Sequence, residues 1–201
     1  MSSYYAIITG DIVQSRSVDS AIWLPKLQAS LEHISQKFDI FRGDSFQVAV
    51  PLETCIASLF YIKACIKAIG QLDVRMSLGI GEIDYVDEHI KKSAGEAFIF
   101  SGEAFDDLHK ELVLVKSKWA SWDESSNIIL QLACELANRW TNNMATTVAA
   151  VLEHPHANQQ EIATLLHRKY QSQISTELQK AQWTKIKKAI DFTTSELLKL
   201  C

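Results

Sequence analysis

Two short stretches hold the residue types best suited to chemistry. In ITGDIVQSR, residues 8–16, an apolar run (Tyr4, Tyr5, Ala6, Ile7, Ile8) gives way to Thr9-Gly10 and then to a carboxylate, Asp11, followed by the hydroxyl of Ser15 and the guanidinium of Arg16. In FRGDSFQVAV, residues 41–50, Gly43-Asp44 sits after Arg42 between two apolar runs, a hairpin signal. Two carboxylates held close repel unless a cation separates them. Mg²⁺ (or Mn²⁺) does this with oxygen ligands and is completed by substrate phosphates. Asp11 and Asp44 are therefore the expected metal ligands. Gly10 and Gly43 would let a phosphate chain approach the backbone, and Ile12, Ser15, Arg16 and Arg42 complete a nucleotide-binding set, Arg offering a planar fork of donors. The competing reading is local: Asp after Gly is common in turns, where its side chain bonds nearby backbone. Arg75 opens a later strand and could pair with an acid on a neighbouring one.

The elements that must position these groups follow from apolar spacing. Residues 4–10 read as a strand ending on Asp11. Residues 20–37 read as a helix with Leu24, Leu27, Leu31 and Ile34 on one stripe. The hairpin covers 38–50, a helix covers 53–69 with Gly70 as its stop, and VRMSLGIGEID, 74–84, is a strand. A polar loop at 85–94 contains Lys91 and Lys92, two possible sources of charge. Residues 95–110 read as a helix and 112–116 as a short strand. The first six elements follow the β-α-β-β-α-β order of a split βαβ sheet, which lays the end of the first strand beside the hairpin turn. The fold class expected is α+β: a ferredoxin-like (palm) domain over 1–119, then an all-α domain over 120–201.

From 121 onward the pattern is helical, with helices expected at 121–140, 142–154, 158–167, 171–182 and 184–200. QQEIATLLHRKYQSQISTELQKAQW, 159–183, resembles a helix-turn-helix. Ile174 and Leu178 would anchor its second helix, leaving Gln171, Ser172, Gln173, Ser175, Thr176 and Gln179 toward a groove, ringed by Arg168, Lys169, Lys180, Lys185, Lys187 and Lys188. Short polar side chains and amides read base edges and phosphates. His167 stands where the turn of that motif normally has Gly. The alternative use of these helices is protein contact or dimerisation. His154-Pro155-His156 reads as a polar helix break.

Composition narrows the classes. The chain has 201 residues and a net charge of −4; residues 1–150 carry −6 and 151–201 carry +2, an acidic body with a mildly basic tail that permits DNA as a partner. No apolar run approaches a membrane span. Cys55, Cys65, Cys134 and Cys201 form no C-x-x-C pair, which argues against zinc and suits a reducing cytoplasm.

Taken in order, Asp11 in ITGDIVQSR, Gly43-Asp44 in FRGDSFQVAV, RMSLGIGEI (75–83) and SAGEAFIFSGEAFDDL (93–108) resemble the class III nucleotidyl cyclase and GGDEF catalytic plan. More closely, GDI-x-x-SR, RGDSFQ, RMSLGIGEID and GEAF-x-x-SGEAF resemble the SatD family of bacterial proteins. The resemblance implies a nucleotide triphosphate or cyclic nucleotide as ligand, a helix-turn-helix on DNA, and a homodimer. Cyclases also use an Asn and an Arg one helical turn apart, and 95–108 holds neither. The expected function is a cytoplasmic regulator that couples metal–nucleotide binding to double-stranded DNA. The alternatives are a nucleotidyl cyclase or transferase, and a DNA-binding or scaffolding protein whose first domain only dimerises.

Overall fold

The computed structural model describes residues 4–85 and 94–201. Its elements run β1 (Tyr4–Val13), α1 (Ser20–Ile34), β2 (Phe38–Phe41), β3 (Ser45–Val50), α2 (Cys55–Lys67), β4 (Asp73–Tyr85), β5 (Ala94–Gly95), α3 (Glu96–Asp106), β6 (Val113–Lys116), α4 (Ala120–Asn138), α5 (Asn142–Glu153), α6 (Gln159–Leu165), α7 (Gln171–Lys180) and α8 (Trp183–Leu197). The protein is a mixed α/β fold, with one sheet at its centre.

The sheet order is β2-β3-β1-β4, and each of these neighbours is antiparallel. β6 joins β4 in parallel, and β5 pairs with the far end of β4. Strand alternation decides what each face carries. Ala6, Ile8 and Ile12 of β1 and Val74, Met76, Leu78 and Ile80 of β4 enter the main core with Trp23, Leu27 and Leu31 of α1 and the apolar residues of α2. On the opposite face Ile7 packs against Ala97 of α3, and Thr9 Oγ1 lies 2.6 Å from Ser101 Oγ.

α3 lies almost in contact with the sheet backbone, and two glycines make room for it. A Cβ on Gly79 would fall 2.2 Å from Ala97 O and Ser101 N, and one on Gly81 would fall 2.7 Å from Ala97 N. Ser77 Oγ donates to Ser101 O at 2.7 Å, fixing the helix along the strand. The free edge of β6 is covered by Asn127 of α4. Its side-chain amide accepts from Val115 N at 2.7 Å and donates to Val115 O at 3.0 Å, satisfying an edge that would otherwise template strand addition.

The helical part packs onto this sheet layer. α4 meets β6 and α8, α5 meets α2, and α6 and α7 pack with α5. One buried cluster runs from Ala6 to Leu197. Beneath it lies an ionic triad: Lys63, 2 % exposed, reaches Asp73 Oδ1 at 2.6 Å, and Lys67 reaches Asp73 Oδ2 at 3.1 Å. No helix among the described residues is long and apolar enough to cross a membrane.

Candidate functional site

Asp11 does not end its strand. β1 continues to Val13, and Asp11 lies inside the ladder, opposite Ser45 on β3 and Arg75 on β4. The acid is tolerated there because Arg75 neutralises it. Nε of Arg75 donates to Asp11 Oδ1 at 2.6 Å and Nη2 donates to Oδ2 at 2.7 Å, the two-pronged geometry that suits guanidinium and carboxylate. The guanidinium carbon sits 5.2 Å from the centre of the Phe105 ring. The hydrogen bond to Asp11 holds the Arg75 pKa above its ordinary value, and the charge of Asp44 adds to the effect.

Asp44 closes the β2–β3 turn. Arg42 (φ 54°) and Gly43 (φ +92°) both take the left-handed conformation, the region where glycine is unstrained. The turn is stitched to β1 by Ile12 N donating to Asp44 O at 3.1 Å. The Asp44 side chain accepts from Ser15 Oγ at 2.7 Å. Ser15 is brought there by Gln14, left-handed at φ 60°, and the short 3₁₀ turn Ser15–Ser17. The topology thus brings Asp11, Asp44 and Ser15 to one end of the sheet, as the spacing predicts. An open cleft of about 360 Å³ borders that end, lined by Asp11, Gln14, Arg75, His109, Lys110 and Glu111 among others.

Several residues take roles other than those expected. Gly10 does not open the backbone to a phosphate. It makes room for the core, since a Cβ there would lie 2.5 Å from the Phe46 ring and 2.9 Å from Met76 Cγ. Ile12 is 4 % exposed, and its side chain belongs to the core. Ser15 spends its proton on Asp44. Arg16 and Arg42 are exposed and, among the described residues, carry no ion pair, so they remain available to an anion. Lys91 and Lys92 lie outside the described residues.

The donor chemistry does not fit a divalent ion held between the two acids. Both oxygens of Asp11 accept from Arg75, and one oxygen of Asp44 accepts from Ser15. Among the described residues no group of three or more His, Cys, Asp or Glu converges on any point. Mg²⁺ prefers carboxylates that are free to ligate, and here a guanidinium already supplies the opposing charge.

The second candidate surface is α7. Ile174 and Leu178 are buried, while Ser172, Gln173, Ser175, Thr176, Gln179 and Lys180 are exposed, as the spacing predicts. The turn before it places His167 at φ 53°. A histidine therefore adopts the left-handed conformation at the position where the sequence motif has glycine. Lys169, Lys185, Lys187 and Lys188 are exposed; Lys187 pairs with Asp191 at 2.6 Å. Arg168 departs from expectation. It turns inward, with Nη2 at 3.1 Å from Asn143 Oδ1 and 3.4 Å from Glu177 Oε1, because Glu177 is the half-buried acid of α7 that needs a partner. Gln171 is half-buried and donates to Gln159. Gln173 uses its amide oxygen to accept from Tyr170 N at 3.1 Å.

No family model and no curated protein matches this chain.

Sequence reasoning missed two features and left a third open. It expects Arg75 to pair with an acid on a neighbouring strand, but that the acid is Asp11, 64 residues away, emerges only once the β1–β4 register is fixed. Phe105 under Arg75 requires knowing which face α3 covers. The Lys63–Asp73–Lys67 triad had one available signal, a lysine inside the otherwise apolar run of α2.

Proposed function

We propose that the chain is a two-module regulator of the SatD type. Its sheet module takes a nucleotide phosphate chain at the β1 end, and α6–α7 dock on double-stranded DNA. The sheet order β2-β3-β1-β4 with antiparallel neighbours supports a ferredoxin-like, palm-like reading of the first module. The exposed cations Arg42, within the Asp44 turn, and Arg16, next to the Ser15 that donates to Asp44, supply the positive charge for phosphates. Turnover is not part of the proposal, because α3 holds neither an Asn nor an Arg to stabilise a phosphoryl transition state.

The observation that carries the reading is the division of α7. Its inner face is anchored by Ile174 and Leu178, and its outer face is a continuous set of small hydroxyls and amides. That is the side-chain chemistry of groove readout, presented after a turn whose His167 has the glycine-like conformation.

The test is a mobility shift on mixed-sequence duplex DNA as salt is varied. The Lys185→Ala variant should weaken binding across all sequences and lower the salt slope by about 1. Ser175→Ala or Gln179→Ala should change sequence preference instead. No shift on any duplex at low salt would remove the DNA half of the proposal. The nucleotide half is tested separately by calorimetry with nucleoside triphosphates in EDTA, where Arg16→Ala should lose heat; absence of heat with every triphosphate removes it.

A further inference from the structure

Two acids at one end of a sheet create a demand for positive charge. Here the demand is met from within the chain. Arg75 stands directly across the ladder from Asp11, engages both its oxygens at 2.6 and 2.7 Å, rests on the Phe105 ring and feels the charge of Asp44 as well. Ser15 occupies one oxygen of Asp44. A divalent ion bridging the acids would have to expel a guanidinium from a bidentate pair, and would then sit beside the charge it displaced.

We infer that Arg75 is the resident cation of this site: from the β4 side it holds both carboxylate oxygens of Asp11, leaving none free to ligate a divalent ion, so the native site excludes such ions and binds its ligand without one. The inference concerns the same end of the sheet as the function proposed above, but it stands on the Asp11–Arg75 geometry and holds whichever ligand binds there. It assigns Arg75 a role in specificity. The side chain is 42 % exposed, and its fork matches the carboxylate in a way a lysine cannot.

The probe is Mn²⁺ alone. Binding is measured by electron paramagnetic resonance on the native chain, on Arg75→Gln and on the double variant Arg75→Gln/Asp11→Asn, with circular dichroism to confirm folding. The native chain should show no site at millimolar Mn²⁺. Arg75→Gln should bind at least about ten-fold tighter than the native chain, and the double variant should lose that gain. A Mn²⁺ site in the native chain below millimolar overturns the inference, as does an Arg75→Gln variant that gains nothing.

A second measurement needs no variant. In the native chain the Arg75 Nε–H resonance should stay sharp when Mn²⁺ is added, and selective broadening of that resonance overturns the inference. These readouts are independent of the triphosphate calorimetry in EDTA, so a failure of the nucleotide reading and a failure of this inference give different patterns.

Discussion

β4 carries two ionic clusters two residues apart, and they live in different dielectrics. Asp73, at the strand's start, is shared by Lys63 and Lys67, which are 2 % and 11 % exposed. Arg75 pairs with Asp11 at the margin of an open cleft, with 42 % and 20 % of their side chains exposed. Charges taken out of water are costly to leave unpaired, whereas pairs near solvent contribute little net stability. The buried triad is therefore a structural commitment of the core. The Asp11–Arg75 pair does little for stability by comparison, and what it does control is the charge of the site.

The largest expected effect comes from breaking the buried cluster. Asp73→Asn leaves the buried Lys63 and the half-buried Lys67 without a carboxylate and should cost about 3–5 kcal/mol. For a chain of this size that is a fall in Tm of roughly 6–20 °C by calorimetry. A sharper form of the contrast is Lys63→Met. It keeps the Lys67–Asp73 pair and replaces a buried ammonium with an apolar chain of similar length, so it should cost less than about 2 kcal/mol. A loss equal to that of Asp73→Asn would mean that Lys63 alone carries the cluster. The smallest effect belongs to Asp11→Asn, about 1 kcal/mol or less in urea unfolding. Its penalty should shrink further as salt rises, while that of Asp73→Asn should hold, because buried pairs are screened much less. Equal penalties for the two aspartates would erase the distinction between the regions.

Much of the fold is legible in the sequence, because apolar period and turn chemistry act locally. The helices α1, α2 and α4–α8 fall within a few residues of their expected bounds, and Ile174 and Leu178 are buried as their four-residue spacing requires. What spacing does not reveal depends on register or on close approach. An aspartate in a strand reads as a terminator until its partner across the ladder is known, so β1 runs past Asp11 to Val13. Gly10 reads as an opening for phosphate until Phe46 and Met76 are seen against it. Arg168 sits in a basic run and reads as a phosphate contact, yet Glu177, nine residues on, draws it inward. In each case a long-range partner decides what a locally ambiguous residue does. The candidate site was accordingly less legible than the fold: its location follows from the order of elements, and its charge state depends on Arg75, placed 64 residues from Asp11.

α2 is the helix on which both halves of the chain lean. Its residues share one apolar cluster with the strands behind it and with α5 and α8 in front. Cutting the chain near residue 119 would strip one side of that helix bare and leave Ile, Leu and Phe side chains facing water. The halves should therefore melt together in one cooperative transition, with whatever steadies the sheet also steadying the surface of α7.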